Sequence, residues 1–459
     1  MKMRTLAEVA QLAGARLVRG SGDLPIRSAV IDSRIATKDS LFVALEGLNC
    51  HGIDHASAAL ASGAVAVLCD RGLTGRHAGA SLEVDDVRSS LGVLAGQIRA
   101  QEAAEIPVLA VTGSVGKTTT CAMLGAILGE SRRIHSPRDS YNNDLGVPIT
   151  ILEAESDTQL LILEMGTSSP GEIAHLADVA RPQHAVITAI GAAHLEGLGS
   201  IEGVFREKFS LLEKTTGTGL WAPVEWRSKL GDQSQNYRWT GPDGDLEICR
   251  DGRLGVQVHD RSRSRQFSLP WNAPTDWSLR CLESAVAIAL EIVEEPETLV
   301  EGVRKIQLPR WRHEIRTVDG VELILDCYNS SPEALRCSIA ELGQSAATRK
   351  VAVIGTMEEL GADEDHYHIE AGRLCVEMGI DTVFVVGRAA SWIAQGVRES
   401  GSDSICIEKN RAGASLLAEQ LRSGDQVLFK ASRREKLEEL ADLVVAELQP
   451  QEERQGERQ

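Results

Sequence analysis

The sequence has no Cys-x-x-Cys pair, no internal repeat, no low-complexity array and no excess of positive charge. Nor does any apolar run approach the roughly 18 residues that a membrane-spanning helix needs. Nine cysteines, an odd number scattered from Cys50 to Cys406, suggest neither a disulfide framework nor a thiolate zinc site. They read as reduced, mostly buried thiols. The start, Met1-Lys2-Met3-Arg4, is basic, but Glu8 and Gln11 interrupt any signal-peptide core, so a cytoplasmic protein without membrane insertion is expected. A formal net charge of −18 argues against a nucleic-acid or anionic-membrane partner and is the charge of a soluble chain. An acidic protein that binds a polyanionic nucleotide must concentrate its positive charge locally.

One segment does so. Thr112-Gly113-Ser114-Val115-Gly116-Lys117-Thr118-Thr119-Thr120 follows the apolar run Ile106 to Val111 and precedes a helix-like stretch, Cys121 to Glu130. This is a phosphate-binding loop in its strand-to-helix context. Glycines let backbone N–H groups face an anion, the helix start adds its positive dipole end, Lys117 reaches the terminal phosphates and Thr118 holds Mg²⁺. Val111 stands where the strict pattern has a glycine. A turn that bound nothing would have no use for lysine and threonine directly after the second glycine, so ATP or a similar triphosphate is the expected ligand.

At 459 residues the chain is long enough for about three domains. Residues 1–104 read as a small α/β unit: a helix at Leu6 to Leu12, strands at Ile26 to Ile31 and Leu41 to Ala44, a helix at His55 to Ser62 and a strand at Val65 to Cys69. Gln97 to Glu105 is a polar lead into residues 105–314, a doubly wound nucleotide-binding domain with further buried strands at Leu160 to Leu163 and Ala185 to Ile190. Residues 225–275 suggest an irregular β excursion, after which Leu282 to Val293 resumes a helix. A third α/β rhythm occupies 315–448, with strands at Val321 to Leu325, Val351 to Ile354, Thr382 to Val386 and Gln426 to Phe429, and the tail 449–459 is expected to be disordered.

Chemistry gathers at the carboxyl ends of parallel strands. Glu164 closes Leu160-Leu161-Ile162-Leu163, placed to ligate the nucleotide's Mg²⁺ or to face solvent. His194 and Glu196 follow the next strand, where an imidazole serves as a metal ligand or as a structural group. Lys208, twelve residues after Glu196, reads on its own as a solvated helix lysine.

Taken together, these segments resemble the Mur ligases, the ATP-dependent amino-acid and peptide ligases of peptidoglycan synthesis. The resemblance spans nearly the whole chain. It rests on Asp32-Ser33-Arg34 with Leu41-Phe42-Val43-Ala44-Leu45-Glu46-Gly47, the phosphate loop, Asn142-Asn143-Asp144-Leu145-Gly146-Val147-Pro148, Glu164-Met165-Gly166 and Ala193-His194-Leu195-Glu196-Gly197 with Lys208. In the last third it rests on Asp326-Cys327-Tyr328-Asn329, Gly355-Thr356-Met357-Glu358-Glu359-Leu360-Gly361 and Lys430-Ala431-Ser432-Arg433. The double asparagine, the Asp-x-Tyr-Asn and the Met-x-Glu-Leu-Gly are similar to the branch that adds D-alanyl-D-alanine to a UDP-linked muramoyl tripeptide.

The resemblance implies three α/β domains: a uridine-nucleotide-binding domain, a phosphate-loop ATPase domain and a Rossmann-like domain. It implies an amide ligase working through an acyl phosphate, with ATP, two Mg²⁺ ions and a carbamate on Lys208 as cofactors. Gly113, Ser114, Val115, Gly116, Lys117, Thr118, Thr119, Arg312, Asp326 and Asn329 would bind ATP. Thr118, Glu164, His194 and carbamylated Lys208 would hold the metals, Lys117, His194, Lys208 and Arg312 would be catalytic, and Ser33, Arg34, Asn142 and Asn143 would bind the UDP-muramoyl peptide. A monomer acting on small molecules is expected.

The chain departs from the family pattern at Trp311 (glycine in the family), Thr356 (aspartate), Ala431 (glycine), Ile53 (histidine) and in Arg280-Cys281-Leu282-Glu283-Ser284, where an adenine-touching His-Asn-x-x-Asn belongs. Two other readings stay open: a Mur-type ligase for a different carboxylate and amine, and a nucleotide switch that has lost catalysis. Glu164, His194 and Lys208 speak against the second, because a switch needs no second metal site.

Overall fold

Short apolar runs alternating with helical stretches build parallel sheets covered by helices. The computed structural model describes residues 2–47, 50–102, 105–138, 140–252 and 255–449. The tail expected to be disordered lies, from residue 450 on, outside the described residues.

The first unit is a five-stranded sheet in the order Arg16–Arg19, Ala80–Val84, Ala64–Asp70, Ser40–Val43, Ser28–Val30, antiparallel only at its first pair. Helix Leu6–Ala13 is fixed by a capping box between Thr5 and Glu8 and ends at Gly14, whose φ of 64° suits glycine. The polar lead expected at Gln97 to Glu105 is a correction. Helix Val87–Glu102 runs through most of it, because Leu91, Leu94, Ala95 and Ile98 form an apolar stripe that packs on helices Gly146–Glu153 and Glu172–Ala180. One buried core therefore runs from Leu6 through Ile98 to Trp239.

The central sheet has nine strands, ordered Arg265–Leu269, Val256–Asp260, Leu246–Arg250, Arg238–Thr240, Gly219–Pro223, His184–Ile187, Val108–Thr112, Leu160–Glu164, Ile134–His135. The phosphate-loop strand Val108–Thr112 lies between two parallel neighbours, with Glu164 level with Val111 and Ile187 level with Thr112. That register brings the carboxyl ends of three strands together. The segment read as an irregular excursion is a 3₁₀ run at Val224–Asn236 followed by strands that extend this sheet, the last three antiparallel. The helix expected from Leu282 starts earlier, at Asp276, and ends at Ala289.

The third sheet has six strands, ordered Glu314–Val318, Val321–Leu325, Asp425–Lys430, Arg349–Ile354, Thr382–Val385, Ser404–Cys406, with only the first antiparallel. Its two faces bury separate apolar clusters, one around Phe384 and Phe429, the other around Ile339 and Ile393. All nine cysteines are free. Among the described residues no helix is long and apolar enough to cross a membrane.

Candidate active site

The phosphate loop is shaped by the segment after the neighbouring strand. Ser114 N–H donates to the Ala189 carbonyl at 2.8 Å, and the Ser114 hydroxyl donates to the Gly191 carbonyl at 3.1 Å. The Thr188 hydroxyl donates to the Val115 carbonyl. Gly113 is required there: a Cβ on it would lie 2.0 Å from Thr188 Oγ1, at a φ of 156°. Gly116, at φ 88°, starts helix Lys117–Gly129, and Lys117 arches back so that Nζ donates to the Gly113 carbonyl at 2.8 Å. Burial lowers the Lys117 pKa, and Glu164 works against that shift. Thr118 faces the cleft while Thr119 is buried in the first turn.

Glu164 ends its strand 1% exposed, with Oε1 accepting from Asn142 Nδ2 at 2.7 Å and Oε2 without a hydrogen-bond partner. Lys208 is 0% exposed, and its Nζ also has no hydrogen-bond partner. Burial pushes its pKa well below the ordinary lysine range, the Lys117 charge pushes it further, and Glu207 opposes both. Glu207 is itself committed elsewhere: its carboxylate accepts the N–H groups of Gly171 at 2.7 Å and Ile173 at 2.8 Å. A buried amine left unpaired costs free energy, on the order of 1–3 kcal/mol or more. Lys208 is therefore not the solvated lysine its local sequence suggests. His194 stands at φ 55° before a short helical turn, its Nδ1 in contact with Glu359 Oε2 from the third unit. Glu196 follows on the cleft wall.

The linker residues Arg312 and His313 and the third unit supply the facing wall. Arg312 Nη2 donates to Thr118 Oγ1 at 2.9 Å, and its guanidinium lies 4.4 Å from the Tyr328 ring. Tyr328 donates to Ser140 Oγ at 2.9 Å, and Ser140 lies 3.4 Å from Thr118 Oγ1. Lys430 Nζ reaches Asp326 at 2.9 Å and donates to the Asn329 carbonyl at 2.9 Å. Burial raises the Asp326 pKa, but Lys430 and the Ser338 hydroxyl outweigh it and hold the carboxyl below its usual range. Trp311 adopts φ 57°, a left-handed conformation that favours glycine and costs roughly 1–2 kcal/mol for a side-chain-bearing residue. Its N–H donates to Glu314 at 3.0 Å, its carbonyl accepts from Tyr328 N–H at 3.1 Å, and its ring lies 4.7 Å from the Arg433 guanidinium.

These residues enclose one cleft of about 1230 Å³. It brings together Ser114 to Thr119, Asn142, Asn143, Glu164, His194, Arg312, Asp326 and Asn329, and it extends to Arg88 of the first unit, which pairs with Asp144. Ser33 and Arg34 do not line it. They form a 3₁₀ turn on the first unit, where the exposed Arg34 pairs with Asp32 at 2.6 Å. Lys208 is buried behind the lining residues rather than among them. The sequence reading passed over Thr188, Ser140 and Glu207. Only Thr188 carried a signal, as a hydroxyl directly after the strand beside the loop.

Among the described residues no group of three or more His, Cys, Asp and Glu side chains converges as a ready-made metal cage. The unpartnered Glu164 Oε2 and the Thr118 hydroxyl, on residues that line the same cleft, suit a hard cation that takes the rest of its oxygens from phosphates and water. Fold and site thus define a phosphate-loop α/β protein that holds a nucleotide between two units.

Comparison with known proteins narrows this. The sequence matches the family model described as Mur ligase middle domain over residues 111–225 and that described as Mur ligase, glutamate ligase domain over 311–433. It is 30% identical to the UDP-N-acetylmuramoyl-tripeptide–D-alanyl-D-alanine ligase of Bacillus subtilis, over 98% of this chain and 100% of that one. Among solved structures, MurF from Acinetobacter baumannii superposes with a TM-score of 0.85 at 26% identity, covering 97% of this chain and 99% of that chain. MurF ligase from Thermotoga maritima in complex with ADP gives 0.79 at 27% identity, over 93% and 98%. The chain belongs to the Mur ligase family, on the branch of the UDP-N-acetylmuramoyl-tripeptide–D-alanyl-D-alanine ligases.

Proposed function

We propose that the protein is an ATP-dependent ligase that joins D-alanyl-D-alanine to UDP-N-acetylmuramoyl-tripeptide in peptidoglycan precursor synthesis. The observation that carries this is the single cleft onto which the phosphate loop, the linker arginine and the third unit all open, in a chain alike over its whole length to such ligases. In the reaction, a substrate carboxylate oxygen attacks the γ-phosphorus of ATP and the bond to ADP breaks, leaving an acyl phosphate. The amine then attacks the acyl carbon, phosphate departs, and the nitrogen gives up its proton. The protein's part is positioning and charge compensation. Lys117 and Arg312 neutralise the terminal phosphates, and backbone N–H groups of Gly113 to Thr119 cradle them. Asp326 and Asn329 meet the nucleotide from the third unit, so closure completes the site.

Thr118 and Glu164 would hold one Mg²⁺, with Asn142 fixing the glutamate. His194 and a carbamate on Lys208 would hold the second. The two ions, when bound, supply further neutralisation of developing charge. A neutral Lys208 amine attacks CO₂, forms an N–C bond and releases one proton, which turns an uncharged buried amine into an anionic oxygen ligand. The depressed Lys208 pKa and its unpartnered Nζ support this. Ser33 and Arg34 would bind the uridine nucleotide, with Asn143 and Arg88 along the path to the loop.

A division at 1–104, 105–314 and 315–448 accompanies this reading, supported by a separate sheet in each segment. So do a cytoplasmic setting, where ATP is made, and a monomer.

The assignment is tested by phosphate release from ATP with defined UDP-muramoyl peptides and a panel of amines. Release that requires the tripeptide and D-alanyl-D-alanine is expected, and equal release with another pair would move the protein to a different ligase specificity. The carbamate has its own test. Lys208→Ala should lose activity and regain part of it with acetate, which refills the vacated ligand position. Intact mass under bicarbonate that shows a free amine in the active enzyme would return Lys208 to a structural role.

A further inference from the structure

We propose that Glu359 is the positioning residue through which the third unit, on closing, sets the His194 imidazole for a divalent cation. The proposal rests on the reading of His194 as a metal ligand. Glu359 lies in the loop after strand Arg349–Ile354, and its Oε2 contacts His194 Nδ1 across the boundary between the third and central units. A carboxylate at Nδ1 fixes the proton on that nitrogen and leaves the lone pair on Nε2. Histidines that bind metals are commonly held this way, because the outer carboxylate sets the ring's orientation and raises its basicity.

The contact is built into both loops. Glu196 N–H donates to the Glu359 carbonyl at 3.3 Å, so the backbones are joined beside the side-chain pair. Gly361 approaches so closely that a Cβ on it would lie 3.3 Å from Glu196 Cα. His194 at φ 55° and Glu359 at φ 62° are both in the left-handed region, a conformation that costs non-glycine residues about 1–3 kcal/mol and persists only where the surroundings enforce it. Both side chains line the cleft shared with Lys117 and Glu164. A carboxylate on the third unit that reaches a ligand on the central unit gives closure a chemical consequence: the imidazole is oriented only when the units meet.

The test uses the full-length protein with Mn²⁺ as the probe, titrated by the electron paramagnetic resonance of free Mn²⁺ in the presence of a non-hydrolysable ATP analogue. Glu359→Ala should weaken the second Mn²⁺, the one not held with the nucleotide by Thr118 and Glu164, about 10- to 100-fold while the first Mn²⁺ and the analogue bind as before. Glu359→Asp, too short to reach, should match it. Glu359→Gln, whose carbonyl oxygen still accepts from Nδ1–H, should retain most of the affinity. His194→Ala should weaken Mn²⁺ at least as much, and adding Glu359→Ala to it should cost nothing further. If Glu359→Ala and Glu359→Asp bind Mn²⁺ like the wild type while His194→Ala does not, the coupling is wrong and His194 remains a ligand. Tighter Mn²⁺ binding by Glu359→Ala makes Glu359 a competitor of the metal and overturns the proposal. Wild-type binding by His194→Ala removes the metal reading itself.

Discussion

Glu164 Oε2 and Lys208 Nζ are among the central unit's buried side-chain atoms without a hydrogen-bond partner, along with Thr120 Oγ1, His135 Nε2, His184 Nδ1 and Arg265 Nη2. Folded proteins rarely leave such groups unpaired, and Glu164, whose Oε2 is one of them, lines the cleft with the phosphate loop. Lys117 and Glu164 differ in what surrounds them. The Lys117 ammonium hydrogen-bonds the Gly113 carbonyl and the Glu164 carboxylate accepts from Asn142, so the polar end of neither side chain supports the apolar core. Lys117→Ala and Glu164→Ala should therefore fold with near wild-type thermal midpoints yet lose ligation by about 10²-fold or more, the cost of removing one fixed charge partner from a developing anion. Steady-state phosphate release beside a melting curve checks both halves, and unaltered turnover in either variant would remove the ATP-site assignment.

At the scale of elements, the phosphate loop is legible in the sequence because everything that defines it is local: a strand, two glycines, a lysine and a helix start. The burial of Lys208 is not, since nothing in Phe205-Arg206-Glu207-Lys208-Phe209 reveals that Glu207 is taken by the N–H groups of Gly171 and Ile173. Helix Val87–Glu102 escapes the sequence pattern because Gly92, Gly96 and Gln97 dilute a stripe that only the central unit's helices complete. Strand Ala80–Val84 escapes it because the strand buries Ser81 and Glu83, polar residues that periodicity scores as exposed.

Helix Asp276–Ala289 carries a similar surprise in Glu283, which accepts from Ile248 N–H at 2.9 Å and whose burial raises its pKa from 4.5 to about 8. The folded state then holds a proton that the unfolded state has released between those values, so stability falls as pH rises through this window. A tenfold change in proton affinity between the two states is worth about 1.4 kcal/mol. Glu283→Gln keeps the acceptor and cannot ionise, so its thermal midpoint should exceed the wild type's at about pH 8 and match it near pH 4.5. A constant difference across that range would show that Glu283 does not titrate in the window.

Across the whole molecule the three sheets are not three independent bodies. The first unit and the central unit share one core, in which Leu94 and Ile98 sit with Val147, Ile173 and Leu176, whereas the third sheet buries its own clusters. Polar contacts join the third unit and the linker before it to the rest at the cleft: Arg312 with Thr118, Tyr328 with Ser140, and Glu359 with His194. Such contacts are worth little until a ligand ties them together. Calorimetry of the free protein should accordingly show two transitions, one for the first and central units melting cooperatively and one for the third. A non-hydrolysable ATP analogue with Mg²⁺ at about 100 times its dissociation constant should stabilise the folded state by about 2.7 kcal/mol and draw the two transitions together. The merging is the informative part, since a nucleotide held by the central unit alone would raise only the first transition and leave the third unit's midpoint where it was.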